Sequence, residues 1–161
     1  MKSVYLLILL VLVLVIAGCS GTTTQPIGHG LSQSENAAAN KESKVLAGNE
    51  AKYMEFSKKE YDQALKNNKK ILLNFYANWC PLCAKEQPEA FAAFNEIHNS
   101  DIIGFRVNYK DSETDVDEEN LAREFGITYQ HTKVILVDGK KVLKSPDSWD
   151  KQRYLDELAK V

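Results

Sequence analysis

The chain carries few cysteines, histidines and prolines for its 161 residues, and each shortage removes an explanation. Three cysteines and the scattered His29, His98 and His131 cannot supply a structural zinc site, which needs four ligands and usually a second Cys/His pair. Basic residues number 20 against 22 acidic ones, a formal net charge of −2, so no basic footprint points to nucleic acid. No glycine-rich phosphate loop occurs among the eight glycines, so no bound organic cofactor is expected. The longest apolar run, Val4–Ala17, falls short of the ~20 residues that span a bilayer. Acids crowd positions Asp111, Glu113, Asp115, Asp117, Glu118 and Glu119, but Val116 stands where an EF-hand loop wants glycine. They read as a solvated loop and the acidic first turn of a helix.

The apolar run is instead suited to a signal peptide. Lys2 supplies a minimal basic start, and Ile16-Ala17-Gly18-Cys19 places small residues directly before a cysteine. That ending resembles the lipobox of bacterial-type lipoproteins. The resemblance implies a signal peptide over residues 1–19, lipidation at Cys19 and export to the extracytoplasmic face of a membrane, where disulfides persist. Residues 20–50 are rich in Ser, Thr, Gly, Asn, Gln and Ala, and read as a flexible tether giving the domain reach from the membrane.

Residues 51–161 read as one α/β domain with a mixed central sheet covered by helices on both faces. Tyr53–Phe56 is a short leading strand. Ser57 and Glu60 have capping-box spacing, so a helix is expected over 57–67. The near-continuous apolar run Ile71–Ala77 fits a strand buried on both faces. A helix is expected from Cys80 to about His98, carrying Ala84, Phe91, Ala92, Phe94 and Ile97 inward and interrupted by Pro88. Ile102–Val107 is a further strand, and Leu121–Phe125 lies in a helix ended by Gly126. Lys133–Leu143 forms two strands joined by an Asp138-Gly139 turn. A last helix, capped near Asp147 or Ser148, presents Trp149, Tyr154, Leu155 and Leu158 to the core.

The chemistry is concentrated in Trp79-Cys80-Pro81-Leu82-Cys83, between a buried strand and a helix start. Unpaired N–H groups and the positive end of a helix dipole favour an anionic sulfur there. Two cysteines at this spacing permit attack, mixed disulfide and resolution by the second sulfur. With its element order, Phe75–Cys83, Pro88, Leu121–Ile127 and Val134–Val142, the domain resembles the thioredoxin superfamily. The resemblance implies that Cys80 is the exposed nucleophile, Cys83 the buried resolving thiol and Trp79 a cover for the site. It implies a thiol–disulfide oxidoreductase, monomeric, that exchanges disulfides with exported proteins and draws electrons from a membrane thiol relay.

Two positions depart from that family. A buried aspartate that serves the resolving thiol is replaced by Asn74, leaving Glu86 or water to serve instead. The family's cis-proline falls within Gln130-His131-Thr132, with His131 at the proline position and a trans peptide expected. His131 and Thr132 then face substrate, alongside Trp79, Pro81 and Leu82. The imidazole could ion-pair with a thiolate, or complete a Cys80–Cys83–His131 site for copper, zinc or an iron–sulfur cluster. Trp79 and the first half of the motif favour the reducing direction, and Leu82 adds no thiolate-stabilising group.

Overall fold

The computed structural model describes residues 43–161; the expected signal peptide, Cys19 and residues 20–42 of the expected tether lie outside them. Its strands are β1 (Val45–Ala47), β2 (Lys52–Glu55), β3 (Lys70–Tyr76), β4 (Ile102–Asn108), β5 (Thr132–Val137) and β6 (Lys140–Ser145). The helices are α1 (Lys58–Lys66), α2 (Pro81–Glu96), α3 (Val116–Glu124) and α4 (Lys151–Ala159). None of the helices among the described residues is long and apolar enough to cross a membrane.

The sheet runs β1-β2-β4-β3-β5-β6, with β2, β4 and β3 parallel and the others antiparallel. Alternation along β3 sends Ile71, Leu73 and Phe75 to one face and Leu72 to the other. The first face packs against Tyr61 and Ala64 of α1 and Leu121 and Ala122 of α3. The second packs against Ala90, Ala93 and Phe94 of α2 and Tyr154 and Leu158 of α4. Both faces are thus dry, as the unbroken apolar run in β3 requires. Close packing fixes Gly104 on the second face, where a Cβ would meet Phe94 Cζ and Tyr53 Cδ2 at 2.5 Å.

Local signals account for the element ends. Ser57 Oγ accepts from the Glu60 N–H at the start of α1. Asp115 and Glu118 form a reciprocal capping box on α3, so the acidic run organises a helix start. Asp138 and Gly139 take φ values of 50° and 70°, giving the positive-φ pair that a two-residue hairpin needs.

Three expectations need correction. The sheet begins at Val45, inside the segment assigned to the tether, because β1 pairs with the outer edge of β2. On α2 the inward residues are Cys83, Glu86, Ala90, Ala93 and Phe94, while Ala84 is exposed. Phe91, Phe94 and Ile97 pack on the second core as expected, and Glu86, charged and so expected outside, joins the inward side because it is buried against a cationic partner. The cap of α4 is Asp150, whose carboxylate accepts from the Arg153 N–H, since Asp147 is held by Ser145 and Arg153.

Candidate active site at the start of the second helix

Where β3 leaves the sheet, the chain turns through Ala77, Asn78 and Trp79 and enters α2 at Cys80. Cys80 is the N-cap: its Sγ accepts the Cys83 N–H at 3.2 Å, and Pro81 opens the helix where no amide donor is needed. The sulfur therefore sits on the unpaired donors and the positive end of the helix dipole. Folding back onto that turn leaves Cys80 only 7% exposed against 4% for Cys83, so the expected contrast between an exposed and a buried thiol is small. Both thiols are free.

The acidic loop supports the turn from outside. Asp111 Oδ2 accepts the Asn78 N–H at 2.9 Å, Asn78 Nδ2 donates to Ser112 Oγ at 3.1 Å, and Trp79 Nε1 donates to the Lys110 carbonyl at 2.9 Å. This positioning role was not legible in the acidic composition. Trp79, Pro81 and Leu82 lie on the surface beside Cys80, as a substrate-facing rim requires.

Beneath Cys83 lies a buried polar network. Asn74 Nδ2 donates to the Tyr53 hydroxyl at 3.0 Å and to the Tyr154 hydroxyl at 3.3 Å, so it holds two tyrosines. Tyr154 in turn donates to Glu86 Oε1 at 3.1 Å, and the Trp149 N–H donates to the same oxygen at 2.6 Å. Burial raises both tyrosines above their ordinary range, which keeps the hydroxyls protonated as donors. The third donor to Glu86 is the ammonium of Lys133, in a salt bridge shielded from solvent. Lys133 Nζ also donates to the His131 and Asp147 carbonyls, each at 2.9 Å.

Lys133 is the residue that sequence reasoning missed. It faces Asn74 across the β3–β5 register, on the face that also carries Leu72 and Ile135. A lysine alternating with apolar residues on a buried strand was the available signal, since such a cation needs an anionic partner. Desolvation draws its pKa down and Glu86 opposes that shift. Glu86 is thus engaged by three donors and anchors Lys133. Burial, then the hydrogen bond with Cys80, push the Cys83 thiol up to about 12, with the backbone of Ala77 and His131 opposing.

His131 stands across from the dithiol on the residue preceding β5. No cis peptide bond occurs among the described residues, and His131 takes a left-handed φ of 52°, which histidine tolerates better than most side chains. Its N–H donates to the Phe75 carbonyl at 2.6 Å. The two sulfurs and an imidazole nitrogen all lie within 4.8 Å of one another. Burial and the Lys133 charge lower the imidazole pKa, favouring the neutral ring over an ion-pair partner for a thiolate. Thr132 does not face substrate: it is 2% exposed and its hydroxyl donates to the Tyr129 carbonyl at 2.8 Å, tying down the loop before β5. His98 lies on the surface outside the site, with Nδ1 3.1 Å from Glu50 Oε1.

The chain is similar to known proteins. Thioredoxin H4 of Arabidopsis thaliana is 35% identical over 89 residues, covering 53% of this chain and 66% of the relative. Protein disulfide isomerase-like 1-4 of the same plant is 30% identical over 83 residues, covering 51% of this chain and 13% of the relative. The chain therefore spans less than two thirds of either relative's length. Among solved structures, Trxlp from Edwardsiella tarda superposes with a TM-score of 0.55 at 23% identity, covering 65% of this chain and 95% of that one; it shares the fold. The thioredoxin family model matches residues 52–160, and on that match this chain belongs to the thioredoxin family.

Proposed function

We propose that the domain is a thiol–disulfide oxidoreductase working through Cys80 and Cys83. The observation that carries this reading is the pair of free thiols joined by the Cys83 N–H to Cys80 Sγ hydrogen bond at a helix N-terminus. In the reducing direction, Cys80 as thiolate attacks one sulfur of a substrate disulfide. A Cys80–substrate bond forms and the other substrate sulfur leaves as thiolate. Cys83 then loses its proton to solvent and attacks Cys80 Sγ, closing Cys80–Cys83 and releasing the second substrate thiolate. Two electrons pass from the pair to the substrate. Lys133, held by Glu86, supplies positive charge toward Cys83 when that proton departs.

The location belongs to the same proposal and rests on sequence. Lys2, Val4–Ala17 and the lipobox-like Ile16–Cys19 support lipidation at Cys19 and display on the extracytoplasmic face of a membrane. The substrates are then exported proteins carrying thiols or disulfides, and a membrane thiol relay returns the electrons to a monomeric domain.

The test uses the full chain carrying Cys19→Ser, so that Cys80 and Cys83 are the only thiols. Cys80→Ser abolishes reduction of a model protein disulfide, and Cys83→Ser accumulates a mixed disulfide detectable by mass. Retention of turnover in Cys80→Ser rules the reading out. Equilibration against glutathione fixes direction: a potential near about −270 mV marks a reductant, and one near about −120 mV an oxidant. Labelling of the native chain with radioactive fatty acid, lost in Cys19→Ser, tests the anchor.

A further inference from the structure

His131 takes no part in the exchange steps, yet it is held firmly against the dithiol. Two contacts fix it, its own N–H to the Phe75 carbonyl and the Lys133 ammonium on its carbonyl, and the Thr132 hydroxyl on the Tyr129 carbonyl ties down the loop beside it. Its Nδ1 is buried with no hydrogen-bond partner. A buried polar nitrogen left unpaired costs about 1–3 kcal/mol, so the position calls for a chemical explanation.

We infer that the reduced Cys80–Cys83 pair and His131 form a three-donor site for a soft monovalent metal, copper(I). The donor atoms lie within 4.8 Å of one another. A trigonal metal with bonds of about 2.0–2.3 Å needs its donors about 3.7–4.0 Å apart, which small side-chain rotations supply. Two thiolates and an imidazole are soft to intermediate donors, the set that copper(I) takes, whereas zinc(II) seeks a fourth ligand. Among the described residues this is the one cluster of three or more Cys, His, Asp or Glu placed to hold an ion, and Cys80 and Cys83 are shielded from water.

Binding is a ligand exchange with no electron transfer. Copper(I) forms two Cu–S bonds and one Cu–N bond, and the two thiols release their protons to solvent. The oxidised pair has no thiolate to offer, so the same two sulfurs hold either a disulfide or a metal. Copper(I) is thus excluded from the oxidised protein and blocks exchange in the reduced one.

The experiment titrates the reduced full chain carrying Cys19→Ser with copper(I), anaerobically, against a chromophoric copper(I) chelator. The expected result is one equivalent bound, with X-ray absorption reporting two sulfur neighbours and one nitrogen neighbour. His131→Asn and His131→Gly both accept a left-handed backbone and both lack the imidazole; each should weaken binding on the order of tenfold to a hundredfold. Circular dichroism and the urea midpoint confirm that each variant is folded. Unchanged affinity in both variants, or equal binding after Cys80→Ser/Cys83→Ser, overturns the inference. So does stronger retention of zinc(II) than of copper(I) under the same competition. Exchange by the parent chain, measured alongside without metal, keeps a failure of copper binding distinct from a failure of the oxidoreductase reading.

Discussion

Lys133→Met should destabilise the reduced protein by about 4 kcal/mol, and the reasoning behind that figure is open to refutation. The lysine side chain is fully buried and its Glu86 partner is 3% exposed, so neither charge has water as an alternative partner. Removing one member of such a pair costs ~3–5 kcal/mol, because the other charge stays buried and uncompensated. Methionine preserves most of the volume, so the cavity contribution is small. The carbonyls of His131 and Asp147 also lose the donor that sits 2.9 Å from each. Urea denaturation of the reduced chain provides the assay; with a slope of about 1–3 kcal/mol per molar, the midpoint falls by more than ~1 M. Lys133→Met with Glu86→Leu removes both charges and leaves only neutral groups short of a partner, the Trp149 N–H, the Tyr154 hydroxyl and the His131 and Asp147 carbonyls, so its cost should be below the sum of the single changes. A loss under ~1 kcal/mol for Lys133→Met, or single costs that add to within ~0.5 kcal/mol, would refute a coupled buried pair.

Resolution of the mixed disulfide should accelerate with pH. Burial holds the Cys83 thiol above its ordinary range, and below its pKa the thiolate fraction rises tenfold per pH unit. Stopped-flow single turnovers between pH 7 and 9 that show a flat rate would contradict this. Gly104→Ala should cost about 1–3 kcal/mol through overpacking, since its Cβ would press on Phe94 and Tyr53 at 2.5 Å; thermal unfolding unchanged from the parent would show that the rings can yield. Asp111→Ala removes the acceptor of the Asn78 N–H at the turn before Cys80, so it should lower exchange more than stability. Equal exchange rates for the variant and the parent would deny the loop its positioning role.

How much was legible follows from the range over which each signal acts. Ser57 with Glu60, Asp138-Gly139 and the apolar Ile71–Ala77 act over a few residues, and the structure places α1, the hairpin and β3 there. The dithiol was readable because its strand-turn-helix setting is itself local. The Glu86–Lys133 pair was not, because the two charges meet only after α2 has docked on the sheet and β5 has taken its register beside Asn74. The same cause hid Glu86 among the inward residues of α2, where Phe91, Phe94 and Ile97 were legible. Thr132 was read by its proximity to His131, whereas strand alternation turns it toward Phe75 and into the interior. β1 has three residues and no periodicity of its own; the unpaired flank of β2 makes it a strand.

That short strand has a consequence for handling and evolution of the chain. The two flanks of the sheet are protected differently: β6 carries Lys140, Lys141 and Lys144, while β2 relies on Val45–Ala47 lying against Tyr53 and Met54. A chain shortened to begin at Ala51 would keep the dithiol, both cores and all four helices, yet present a bare apolar rung to its neighbours. It would stay chemically competent and become self-adhesive, pairing edge to edge at concentrations where the longer chain remains dispersed. The segment leading into the domain therefore acts as a selvedge, and its length cannot be trimmed freely from the inner end.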